Sequence, residues 1–164
     1  MNEDASSTHD LGYDIDPDLD LIIHAEACVY TGSPVVERYR PICEEFGLIN
    51  QDGNVDELNL KRFEAEVAKR RYAGIEKFAL RNAGWEIFKI GQGLLDDVRQ
   101  NRVKYESQSV DYLAASIELL EEAKEILLSF STKSLDNALV SHYKWQIAMV
   151  SNELDEAASL QRQR

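Results

Sequence analysis

The chain has 164 residues, 44% hydrophobic and 29% charged, with 30 Asp/Glu against 18 Lys/Arg for a net charge of −12. That length suffices for one domain burying about two-thirds of its unfolded surface without staples, while only 3 Pro and 8 Gly leave few turn residues for a many-stranded sheet. The charge is segregated: residues 1–54 hold 12 acidic against 2 basic side chains, 55–105 hold 8 against 11, and 106–164 hold 10 against 5. An acidic head and an acidic tail thus bracket a basic-leaning middle, a distribution suited to meeting a partner or another copy of the chain through charge.

The start, MNEDASSTHD, has neither a basic n-region nor an apolar h-region, and no apolar run approaches a membrane span. A cytoplasmic or otherwise intracellular protein is expected, not secreted and with no transmembrane segment. Residues 1–17 are polar and acidic and are read as a flexible tail, with a helical domain over 18–160. From the end of the tail into the domain, Asp14, Asp16, Asp18 and Asp20 recur at every second residue, with Ile15, Pro17 and Leu19 between them. An extended segment with one acidic and one apolar side is suited to a basic, grooved partner. A hard cation would need six or more oxygens held by a loop, which the pattern lacks.

Asp18 or Asp20 then starts a helix through Leu21, Ile22, Ala25, Cys28 and Val29 to Thr31-Gly32. Ser33-Pro34 opens a second, interrupted at Pro41 and closed by Gly47. Asn50 to Gly53 is a loop, and Asn54 with Glu57 has the spacing of a capping box. From Val55 to about Tyr105 runs a proline-free stretch of about fifty residues, roughly 75 Å if one helix, so a break is expected. Gly74, Gly84, Gly91 and Gly93 are its candidate positions, with Asn82-Ala83-Gly84 or Gly91-Gln92-Gly93 able to hold a kink or short turn. Ser107 or Ser109 starts the next helix, with Val110, Leu113, Ile117, Leu120 and Leu127 on one stripe. Ser131 or Ser134 opens the last, where Leu135, Leu139, Tyr143, Ile147, Val150 and Leu154 form a stripe that Ala138, His142, Trp145 and Met149 widen. The expected fold is all-α: five or six helices in a bundle, ending in an antiparallel hairpin, behind a disordered acidic N-terminal tail.

Chemistry-bearing motifs are sparse. Asn50-Gln51-Asp52-Gly53-Asn54-Val55-Asp56 has the middle of a calcium loop, but Leu48 and Asn59 stand where the first and twelfth ligands belong, so a turn is the reading. Glu-x-x-His pairs for a di-iron site are absent, as are paired Cys/His spacings for zinc and a Gly-rich phosphate loop. Cys28 and Cys43 read as small buried hydrophobes; as nucleophiles they would need His24 or His142 beside them. Lys69, Arg70 and Arg71 head a basic surface, yet Glu64, Glu66 and Glu76 interleave at intrahelical pairing distance, which makes a solvated mixed-charge face. Asn137 to Ala158 has small and aromatic residues as in a tetratricopeptide helix pair, but no second copy follows at 34-residue spacing, so no repeat family is assigned.

The functional expectation is a non-enzymatic interaction protein with no catalytic residue, cofactor or metal. It would bind a protein partner with a basic surface, or a second copy, through Asp14, Ile15, Asp16, Asp18, Leu19, Asp20, Lys69, Arg70 and Arg71. The alternative is an acidic inhibitor that imitates nucleic acid, and the third is an enzyme with a nucleophilic cysteine. Direct nucleic-acid binding is disfavoured by the charge.

Overall fold

The computed structural model describes residues 40–50, 52–72, 80–133 and 135–164. The acidic tail, the helix expected from Asp18 or Asp20, the opening at Ser33-Pro34 and Gly74 lie outside them. Among the described residues 78% are helical and none belongs to a strand. Five helices follow in order: α1 Arg40–Glu45, α2 Glu57–Tyr72, α3 Arg81–Arg99, α4 Glu106–Leu128 and α5 Asn137–Arg162. The chain divides into two compact units, 1–76 and 77–164.

In the first unit, Gly47 ends α1 as its spacing predicted. At φ +61° it lets the Leu48 N–H reach the Cys43 carbonyl at 2.9 Å while its own N–H reaches that of Glu44 at 3.2 Å. This is the paired bond pattern of a Schellman cap. The turn throws Leu48 back onto Cys43, and both enter a small core with Leu60, Phe63 and Val67 of α2. Phe46 packs on Phe63 with ring centroids 4.8 Å apart.

Helix α2 begins two residues later than the Asn54–Glu57 pattern predicts. Asn54 is held in the loop, its N–H donated to Asn50 Oδ1 and its carbonyl accepting from Asn50 N. Asp56 is therefore the cap, its Oδ1 accepting from Asn59 N at 3.0 Å. Asn59 then turns back to donate to the Gly47 carbonyl, tying the start of α2 to the end of α1.

The second unit corrects the expected helix breaks. α3 runs unbroken over Arg81–Arg99, so Gly84, Gly91 and Gly93 all lie inside it, whereas the candidate at Gly74 lies outside the described residues. Two of these glycines do packing work. A Cβ on Gly84 would lie 3.1 Å from Ile126 and 3.3 Å from Leu127, and one on Gly91 would lie 3.1 Å from Leu120 and 3.3 Å from Leu119. As α3 ascends in number its neighbours on α4 descend, so the two helices are antiparallel. The buried side of α4 reads Ser109, Leu113, Ser116, Leu120, Ala123, Leu127, a 4-3-4-3-4 spacing in which small residues and leucines each recur every seven. Leucines facing glycines, and small residues between leucines, allow a close backbone approach. Ser116 Oγ uses it to donate to the Gly91 carbonyl at 2.8 Å, both groups being buried.

α3 closes with a second Schellman cap, this one on Asn101 at φ +54°: Asn101 N bonds the Val98 carbonyl and Arg102 N that of Asp97. α5 is one unbroken helix, not a helix pair. Its cap is Asp136, whose Oδ1 accepts from Leu139 N at 2.9 Å, rather than Ser131 or Ser134. A carboxylate there also complements the helix's positive end. Tyr143 of α5 donates from its hydroxyl to the Leu127 carbonyl, while Arg164 near the helix end pairs with Glu106 at the start of α4.

Candidate interaction surface

Of the residues singled out in the sequence, Asp14, Ile15, Asp16, Asp18, Leu19 and Asp20 lie outside the described residues. Lys69, Arg70 and Arg71 form the last turn of α2, where cations suit the helix's negative end. Lys69 Nζ and Arg70 Nε lie 2.9 and 3.1 Å from the two oxygens of Glu66. Burial pushes the Glu66 carboxyl up, but hydrogen bonds and charge from Lys69 and Arg70 outweigh it and hold the group below its ordinary value. Lys61 pairs with Glu64 in the same way.

In the calcium-like loop the Asn50 side-chain oxygen is used internally. Asn50 Oδ1 accepts from the backbone N–H of both Asp52 and Asn54, and Gly53 at φ +81° closes the turn. Among the described residues no group of three or more His, Cys, Asp or Glu is placed to hold a metal ion. Cys43 is buried in the small core beside Phe63 and Leu48. No described helix is long and apolar enough to cross a membrane.

The wide stripe expected on α5 is narrower in the structure. Tyr143, Gln146, Val150 and Ala157 are the residues it buries, whereas Ala138, Leu139, His142 and Trp145 are exposed. The physical reason is register: seating Tyr143 and Val150 against α4 rotates the flank of the stripe away from it. Trp145, 49% exposed, is the outer part of a ring series that begins in the core. Buried Phe88 stacks on Trp85 at 4.6 Å between centroids, Trp85 meets Trp145 at 5.4 Å, and His142 lies over Trp145 at 5.6 Å. Such packing holds a large aromatic surface in place at the solvent boundary.

Further along the same two helices the bridge is ionic. Arg99 of α3 pairs with Asp96 on its own helix and reaches Glu153 at 2.9 Å and Glu156 at 2.8 Å on α5. Burial disfavours the cation, but the hydrogen bond it donates to Asp96 and the charges of the Glu153 and Asp96 carboxylates prevail and hold the guanidinium more firmly protonated than usual.

Two more features were missed in the sequence. Val110, placed on the core stripe, is 53% exposed, and Leu128 is 56% exposed. Each follows directly on a buried residue, Ser109 and Leu127, and a helix turns about 100° per residue, so the signal was the seven-residue repeat of Ser109, Ser116 and Ala123. Leu128 lies in an open groove on the α4 and α5 side of the unit, lined also by Glu121, Lys124, Glu125, Ser129 and Leu154. Asp111, Glu118, Glu121 and Glu125 are exposed along α4.

Comparison with family models, curated proteins and solved structures finds no match to this chain.

Proposed function

We propose that the protein is a non-enzymatic interaction protein, an adaptor or assembly subunit, that binds another protein through the outward flank of α5 and its charged surfaces. The observation that carries this reading is Trp145. A tryptophan half open to solvent, backed by Trp85 and through it by the buried Phe88, has the rigidity and amphipathic character of an interface anchor. The finer architecture belongs to the same proposal: α4 and α5 form an antiparallel hairpin, supported by the Tyr143 to Leu127 and Arg164 to Glu106 contacts at its two ends. The burial of Cys43 in an apolar core weighs against a nucleophilic role.

A second reading, an acidic inhibitor imitating nucleic acid, is favoured by the exposed carboxylates Asp111, Glu118 and Glu125 on one side of α4. Affinity capture with the full chain and with Trp145→Ser, read by quantitative mass spectrometry, separates the two. The adaptor reading expects a bound protein that is lost with Trp145→Ser and retained when competing duplex DNA is added. Displacement by DNA with Trp145→Ser binding normally would favour the mimic instead.

A further inference from the structure

We infer that the groove holding Leu128 and Leu154 is a docking site for a basic amphipathic helix of a partner protein, an inference that rests on the interaction reading above. The groove has apolar points and an acidic rim. Leu128 is 56% exposed and Leu154 half-buried, while Glu121 and Glu125 are exposed one turn apart beside them. Lys124 is the single cation among the lining residues, and Glu122 adds a carboxylate on the same helix.

The charges decide the class of occupant. Carboxylates repel the phosphates of nucleic acid and of anionic lipid headgroups. They attract lysine and arginine, and a surface along two packed helices suits the apolar side of a third, with anchors at i and i+4. The fitting segment is therefore a helix with two leucine-like side chains one turn apart, flanked by Lys or Arg. Burial of the leucines supplies affinity, and the rim supplies orientation and on-rate.

The test uses a fluorescein-labelled amphipathic peptide with leucines at i and i+4 and arginines on both flanks, titrated with the full chain and followed by anisotropy. Saturable binding is expected, weakened tenfold or more by Leu128→Ser and by the double variant Glu121→Gln/Glu125→Gln. It should be unaffected by Trp145→Ser, and lost when both peptide leucines become alanine. Leu128 is exposed, so Leu128→Ser should keep the wild-type melting temperature and a loss of binding is not a loss of fold.

Absence of binding overturns the inference. So does equal weakening by Asp111→Asn/Glu118→Gln, which would reduce the effect to general attraction. If the wild type is a dimer by light scattering and Leu128→Ser is a monomer, the occupant is a second copy and the basic helix is ruled out. Failure here leaves the adaptor reading intact, because that reading falls only when Trp145→Ser leaves partner capture unchanged.

Discussion

Gly91 and Gly93 sit two residues apart in one helix, and the structure gives them opposite roles. A side chain at 93 meets nothing within 4 Å, whereas one at 91 runs into Leu120 and the Cβ of Leu119. Gly93→Ala should therefore stabilise the protein by about 0.5 to 1 kcal/mol, the helix-propensity gain in open space. Gly91→Val should destabilise it by about 1 to 3 kcal/mol through overpacking against fully buried leucines. Chemical denaturation measures both, and equal signs would show that α3 and α4 do not approach this closely. Glu66 makes a pH prediction. Its folded-state value lies below the ordinary 4.5, so the pairs with Lys69 and Arg70 contribute stability at pH above 4.5 and lose it as pH falls through the lowered value. The advantage of wild type over Glu66→Gln should accordingly shrink below pH 4.5. Parallel stability curves from neutral to acid pH would mean that the pairs contribute nothing.

Among the helices, phase is the quantity under test. Leu120 is fully buried and Val110 is largely open, although both belong to the apolar stripe of α4 predicted from its periodicity. Leu120→Asp should cost several kcal/mol, because an unpaired carboxylate would be forced between α3 and α4, while Val110→Asp should change stability by less than about 0.5 kcal/mol. Similar losses from the two would refute the assigned burial. Helical character was legible because the stripes are long and periodic. Where helices begin was less so, since Asn54 and Ser131 are as good caps in composition as Asp56 and Asp136, and hydrogen bonds within their own loops hold them there instead. Gly84 and Gly91 were misread for a related reason: a glycine that breaks a helix and one that admits a neighbouring leucine are the same letter, and the partner that distinguishes them lies some thirty to forty residues away. For the interaction surface, Trp145 and His142 stood out as part of a stripe, but which side of that stripe would be covered depended on the fit of Tyr143 and Val150.

At the scale of the whole unit, carboxylates among the described residues face outward along α4, at Asp111, Glu118, Glu121 and Glu125. The depth of burial differs between helices. α3 buries eight residues of 19 and α4 eight of 23, but α5 buries four of 26, namely Tyr143, Gln146, Val150 and Ala157. The protection of backbone amides against hydrogen exchange should follow that order. Amides of α3 around Gly91 and of α4 around Ser116 should exchange only on opening of the whole unit, whereas those of α5 should exchange through a cheaper, partial opening in which that helix lifts off alone. Uniform protection across the three helices would contradict this. The glycine and serine register that draws α3 and α4 together thus makes them a stiff pair, and leaves α5 the leaf that opens first. Because α5 also presents Trp145, a ligand that grips its outer flank while resting on α3 would clamp the leaf shut, and would announce itself as slowed exchange across the whole of α5 well beyond its own footprint.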